Sequence, residues 1–314
     1  MIVTVTLNPA LDKTARVERL LPGKLNRLSS VTLDPGGKGI NVSSVIKALG
    51  GRSLAAGFAG GNSGRELLER LNDRHIENDF ITIASPTRLN LKVIDHGGTL
   101  TELNEPGPEI GAAEWEAMEG KLLSIAGADT IFVLSGSLPG GLPPDTYRSL
   151  CGLLRRAGST VFVDADGEAF RLAMEAPPDY VKPNRYELLQ YFGKTGPEKT
   201  GDGELAALCV KLLARGVRLA ALSMGPEGAI FAAPEGCWRS PGLAVRAAST
   251  VGAGDSMVAA IVYGLEKKLP LEESLRLSVA ASAGAAMTEG TNPPDRETVE
   301  KLLAAVELWP LRPL

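Results

Sequence analysis

The sequence predicts an α/β protein: a parallel sheet covered by helices on both faces. Short β-branched runs alternate with longer segments of helical period, the pattern that builds such a sheet. Glycine-bearing loops follow several of these runs, where open α/β sheets bind their ligands. Val3 to Leu7, Ile131 to Leu134, Val161 to Val163 and Leu219 to Ser223 read as buried strands. Val42, Val45, Ile46 and Leu49 recur at helical spacing, and Gly50-Gly51 stops that helix. Residues 14–34 and 88–104 depart from the rhythm: RLNLKVID and TLTEL alternate polar and apolar residues around His96-Gly97-Gly98-Thr99, a hairpin with a glycine turn. These strands read either as a lid outside the main sheet or as its extension, and the lid is adopted here. The expected organisation is one domain over residues 1–314.

Composition narrows the function classes. With 314 residues, 44% of them hydrophobic, the chain can bury a large core. A net charge of -4 argues against nucleic acid as the main partner, because phosphate-backbone binding leaves a basic footprint. Any anionic ligand must then be held locally. Cys151, Cys209 and Cys237 are odd in number and far apart, which suits neither a disulfide framework nor a zinc site. A reducing cytoplasm is the expected setting. No run approaches 18 apolar residues, and MIVTVTL is too short for a signal segment.

The strongest chemical signal is Ser249-Thr250-Val251-Gly252-Ala253-Gly254-Asp255-Ser256, which opens the helical stretch MVAAIVYGL. Glycines let the backbone approach a ligand, and free amides at a helix start cradle an anion. Asp255 would face that anion as a base for an attacking hydroxyl, with Gly252, Ala253 and Gly254 neutralising the transition state. At a helix N-terminus its pKa is expected to be low. The plain alternative is an ordinary helix start with an acid complementing the dipole.

A second constellation, Asp34-Pro35-Gly36-Gly37-Lys38-Gly39-Ile40-Asn41, places a lysine among glycines and an amide that can bond sugar hydroxyls. It lacks the spacing of a Walker A loop. In Thr87-Arg88-Leu89-Asn90-Leu91-Lys92, alternation puts Arg88, Asn90 and Lys92 on one strand face, either for a sugar phosphate or simply for solvent. Asn8-Pro9-Ala10-Leu11-Asp12 and Ser135-Gly136-Ser137 follow strands, and Asp12 could accept from sugar hydroxyls or form a turn. Asn184 and Glu187 in VKPNRYE have capping-box spacing, and Ser223 to Gly228 form a loop that could border a nucleotide or be a simple turn. His75 and His96 lack metal-ligand spacing, and no Ser/His/Asp order supports a hydrolase.

In this order, NPALD, GGKGIN, TRLNLK, SGSLP, VKPNRYE, SMGPEG and STVGAGDS resemble the PfkB carbohydrate kinase family, over nearly the whole chain. The resemblance implies a ribokinase-like three-layer α/β/α sandwich with a mostly parallel central sheet and a small β-sheet lid, and homodimers through that lid. It implies ATP as donor, Mg²⁺ as metal and a sugar phosphate as acceptor, with D-fructose 1-phosphate expected ahead of tagatose 6-phosphate or fructose 6-phosphate. Asp255 matches the family's base and Gly252 to Gly254 its anion hole. Asp12, Gly37, Lys38, Asn41, Arg88, Asn90, Lys92 and Ser137 match the sugar side. Lys182, Asn184, Ser223, Gly225 and Gly228 match the nucleotide side, and Glu187 and Asp164 the metal, through water. Asp164-Ala165-Asp166-Gly167 has alanine where many relatives carry a hydroxyl. A sugar-phosphate sensor without chemistry is the reading from another class, against which the intact Asp255 speaks.

Overall fold

Ile2–Thr6 is buried at every position and Thr160–Asp164 at all but the first, so these strands need cover on both faces. The computed structural model describes residues 1–194 and 200–313. The chain begins β1 (Ile2–Thr6), β2 (Ala10–Val17), β3 (Leu28–Gly36), α1 (Lys38–Ala48), β4 (Ser53–Gly60), α2 (Gly61–Asp73), β5 (Glu77–Asn78) and β6 (Ile81–Ile83). It continues β7 (Arg88–Asp95), β8 (Leu100–Asn104), α3 (Ala112–Ser124), β9 (Ile131–Ser135), α4 (Thr146–Arg156), β10 (Thr160–Asp164), α5 (Gly167–Ala173), β11 (Tyr180–Val181) and α6 (Arg185–Tyr191). The remainder is α7 (Asp202–Leu213), β12 (Leu219–Ser223), β13 (Gly228–Ala233), β14 (Gly236–Pro241), α8 (Ala253–Glu266), α9 (Leu271–Ala286), α10 (Arg296–Leu303) and β15 (Trp309–Pro310).

Among the described residues the main sheet runs β15-β14-β13-β12-β11-β10-β9-β1-β4-β5, with β6 beside β4. From β5 to β12 neighbours are parallel, and β13 to β15 add an antiparallel edge. Side chains of one face pack on α3 to α7, around Phe132, Leu134, Tyr147 and Leu205. The other face, with Val133 and Phe162, packs on α1, α8, α9 and α10. Helix α2 joins that second layer through Leu67 and Leu71 against Ile40 and Ala55. This is the expected three-layer sandwich. β1 lies between β4 and β9, so successive crossovers leave it in opposite directions and open a crevice at the carboxyl ends of the strands.

The residues expected in a lid form a second sheet, β3-β2-β7-β8. It takes residues 10–17, 28–36, 88–95 and 100–104, and β7 and β8 pair antiparallel across the Gly97-Gly98 turn. Only Leu7, Asn8 and Pro9 separate β1 from β2, which holds the small sheet over the carboxyl end of the large one.

Close approach pins α1 to that end. A Cβ on Gly39 would lie inside van der Waals contact of Thr6 Oγ1 and 3.3 Å from both Ser135 Oγ and the Val5 carbonyl. Gly39→Ala must push the first turn of α1 off the sheet, and overpacking of this kind costs about 1–3 kcal/mol. Urea unfolding is expected to show a lower midpoint with an unchanged slope.

Candidate active site

Strand register builds the floor of the site. Ser135 pairs with Asp164, and Val5 and Val163 both pair with Leu134, so Thr6, Ser135 and Asp164 form a row across β1, β9 and β10. Val163 also pairs with Val181, which brings Lys182 beside Asp164. All four side chains are buried. Thr6 Oγ1, Ser135 Oγ and Asp164 Oδ2 have no hydrogen-bond partner among the described residues. The row is polar because it faces the first turns of α1 and α8 rather than their apolar flanks.

Asp255 sits in the first turn of α8, behind Gly252, whose φ of 84° is a left-handed conformation that favours glycine. The N–H groups of Ala253, Gly254 and Asp255 precede the first carbonyl-bonded turn and are free for an anion. Asn41 Nδ2 donates to Asp255 Oδ2 at 2.8 Å, linking α1 to α8. The expectation of a low pKa for Asp255 does not hold. Burial and the neighbouring Asp164 charge push it up to about 6, against the opposing pull of Asn41, Lys38 and Lys182. Desolvation outweighs the helix dipole because the carboxyl is 7% exposed.

Lys38, the first residue of α1, lies 3.3 Å from Asp164 Oδ1, and Lys182 lies 3.4 Å from the same oxygen. Asp164 raises the Lys38 pKa, against burial. Burial lifts the Asp164 carboxyl, but Lys182 and Lys38 outweigh it and hold it below its ordinary range.

On the small-sheet side, a cavity of about 620 Å³ is walled by Asp12, Thr14, Lys92, residues 247–251 and residues 289–292. Asn90 and Lys92 do share a face, but both turn onto Asp12: Asn90 Nδ2 donates to Oδ1 at 3.0 Å and Lys92 Nζ to Oδ2 at 2.7 Å. Arg88 donates to the Asn8 and Glu105 carbonyls at 3.0 Å. Asn8 in turn bonds Ser137 Oγ and the Pro106 carbonyl, tying three loops together. Gly37 is the N-cap of α1, with φ 119°.

A second cavity, of about 350 Å³, is lined by Asn184, Ser223, Gly225, Gly228, Thr250, Ala253 and Gly254, together with the apolar Leu243, Val245, Val279, Ala283 and Ala286. The two cavities share Ala247 and Thr250. Asn184 and Glu187 form a reciprocal capping box at α6. Burial raises the Glu187 pKa, against the Asn184 N–H and Lys182. The motifs thus assemble at the carboxyl end of the sheet, with Ser135 as the first residue of SGSLP, while Thr6 and the apolar wall at 243–245 and 279–286 carry no motif. Alternation along β1 was the signal available for Thr6.

The full chain was then compared with known proteins. Residues 5–298 match the model of the pfkB family carbohydrate kinases. This chain belongs to that family. A 1-phosphofructokinase from Bacillus subtilis is 37% identical over 310 residues, covering 98% of this chain and 99% of its own length. The crystal structure of phosphofructokinase-2 from Escherichia coli superimposes with a TM-score of 0.92 at 32% identity, covering 97% and 98% of the two chains. A ribokinase from Thermotoga maritima, at 22% identity and a TM-score of 0.76 over 96% and 99%, shares the fold. The pfkB kinase described here is an ATP-dependent sugar-phosphate kinase with the ribokinase-like fold. Among its described residues no helix is long and apolar enough to cross a membrane.

The raised pKa of Asp255 has a consequence for stability. The folded state binds this proton more tightly than the unfolded chain, so the ionised carboxylate destabilises the fold above about pH 6, and the cost fades below about pH 4. Relative to the parent, Asp255→Asn is expected to gain about 1–3 kcal/mol between pH 4 and pH 8. Denaturant unfolding of both proteins at the two pH values measures this, and a gain that shrinks with rising pH would contradict it.

Proposed function

We propose that this kinase transfers the terminal phosphoryl group of ATP to a hydroxyl of D-fructose 1-phosphate, giving fructose 1,6-bisphosphate, with Asp255 as the base. The observation that carries the reading is a buried aspartate of raised pKa at a helix start, beside the loop where two cavities meet. The cavity with many apolar lining residues suits a nucleobase, and the more polar cavity under the small sheet suits a phosphorylated sugar. The B. subtilis relative is a 1-phosphofructokinase, which supports this acceptor.

Asn41 orients Asp255, which takes the hydroxyl proton as the oxygen attacks. Amides of Gly252 to Gly254, with Lys182 Nζ 3.1 Å from where a Gly254 Cβ would stand, neutralise the transferring group. Asp12, held by Lys92 and Asn90, accepts from sugar hydroxyls. In this reading Lys92 orders Asp12 as well as meeting the sugar phosphate, and Arg88 shapes the Asn8 and Glu105 loops at the sugar phosphate's edge. Gly37 and Ser137 complete the acceptor side, and Asn184, Ser223, Gly225 and Gly228 border the nucleotide. The small sheet acts as a lid that excludes water from the phosphoryl group.

Lys38 and Lys182 lie within range of Asp164, Glu187 and Asp255, so the side chains leave a triphosphate short of positive charge. Asp164 Oδ2, buried without a partner among the described residues, and Glu187 fit a Mg²⁺ ion that keeps its waters and rests mainly on phosphates. When bound, that ion supplies charge neutralisation to the phosphates.

The outer face of the lid carries exposed Leu28, Val31 and Leu103, the last 58% exposed. Register puts them on one side with Val17, Ala15 and Leu91, an apolar face suited to a second copy of the chain.

Coupled ADP release with ATP and Mg²⁺ is the direct test, comparing kcat/KM for fructose 1-phosphate, fructose 6-phosphate and tagatose 6-phosphate. Fructose 1-phosphate is expected to lead; a preference for either 6-phosphate would move the acceptor and keep the kinase. The profile should rise through about pH 6 and then level, and Asp255→Asn should lose several orders of magnitude in kcat with the fold retained. Val31→Lys is expected to turn a dimer into a monomer in analytical ultracentrifugation.

A further inference from the structure

Among the described residues, Asp164 Oδ1 is the carboxylate oxygen that both active-site lysines approach within 4 Å, Lys38 at 3.3 Å and Lys182 at 3.4 Å. A charge-assisted bond between ammonium and carboxylate closes to about 2.8 Å, so both contacts are stretched. They come from different elements. Lys38 opens α1 at the acceptor side and is 33% exposed, free enough to leave. Lys182 follows β11 on the donor side, with its ammonium against Gly254 at the start of α8. Asp164 is 1% exposed and belongs to a strand end fixed in register between them, so it cannot follow either lysine outward.

We propose that Asp164 is a shared counter-ion that restrains Lys38 and Lys182 in the free enzyme, so that phosphate groups on the acceptor and donor sides draw on one common charge. The inference rests on the assignment of the two cavities made above and adds a role for a residue otherwise expected only to face the metal. Its physical basis is competition: an anion that takes Lys182 must first outbid Asp164, and Lys38 relieves that competition by holding part of the carboxylate's charge. Asp164 is thus a positioning residue, acting through the lysines. It weakens their grip on ground-state phosphates and leaves them available as charge develops in transfer.

The two roles of Asp164 predict different outcomes when metal is absent. Binding of ADP in EDTA, measured by calorimetry, is expected to be at least fivefold tighter in Asp164→Asn than in the parent. That gain should vanish in Asp164→Asn/Lys182→Met, which should bind ADP no better than Lys182→Met alone. A residue that merely supports the fold would weaken binding on removal, and one that acts only through the metal would leave it unchanged in EDTA; either result overturns the inference. If Asp164→Asn does not fold, Lys38→Met carries the test. Although Lys38 points to the acceptor side, its loss throws the whole carboxylate onto Lys182, and ADP binding should weaken at least threefold, whereas an unchanged affinity overturns the proposal. Failure of the parent enzyme to bind ADP at all would instead sink the assignment of the nucleotide cavity, and this inference with it. Parent binding with no change in the variants would sink the inference alone.

Discussion

The structure depends on the register of a parallel sheet whose strands end together. Parallel strands pair residue by residue, so a polar side chain at the end of one strand acquires polar neighbours at the ends of the next. Thr6, Ser135, Asp164 and Lys182 are such a set, and two positions earlier the same face is apolar, with Val133 and Phe162 in the core. The change from core to site happens within a single turn of the strand pleat. Slipping β10 by one residue would turn Asp164 to the opposite face of the sheet.

On this floor stand two helix starts, and the charges between them explain why the site is poised. Asp255 and Asp164 are both buried carboxylates, yet they respond in opposite directions. Asp164 has two lysines on one oxygen and stays ionised, whereas Asp255 has only an amide and distant cations and is pushed up to about 6. Environments that separate two like groups in this way assign them different tasks. One carries fixed charge, and the other has its pKa moved toward neutral pH.

The small sheet solves a different problem. Its inner face is polar, with Asp12, Thr14, Thr32 and Lys92 on the cavity, and these groups must not collapse onto each other without order. Asp12 answers this by accepting from Asn90 and Lys92 together, so that one carboxylate presents a fixed geometry to the cavity. Gly36 leaves that carboxylate its space, since a Cβ added there would come within 2.5 Å of the Asp12 Cγ. The stability given up in burying these ions is recovered only if each charge is paired, as Lys92 and Asp12 are.

Much of this was legible in the amino-acid order. Alternation of short apolar runs with helical segments determined the α/β class, and glycine-rich loops after the runs marked the carboxyl end of the sheet. The ordered motifs determined the family, because local backbone chemistry, positive φ and free amides, is written in residues close together in the chain. What the sequence left open was everything that depends on neighbours brought from far away. Whether residues 14–34 and 88–104 formed a separate sheet was decided by pairing of β2 with β7, about 80 positions apart in the chain. The Asp255 pKa was misjudged because a helix start is visible in sequence while Asp164, 91 residues earlier, is not. Thr6 joined the site only through strand register, and the apolar wall of the second cavity only because α9 and the 243–247 segment line it together. Sequence determines local geometry; desolvation and Coulomb interactions between distant residues exist only once the chain has folded.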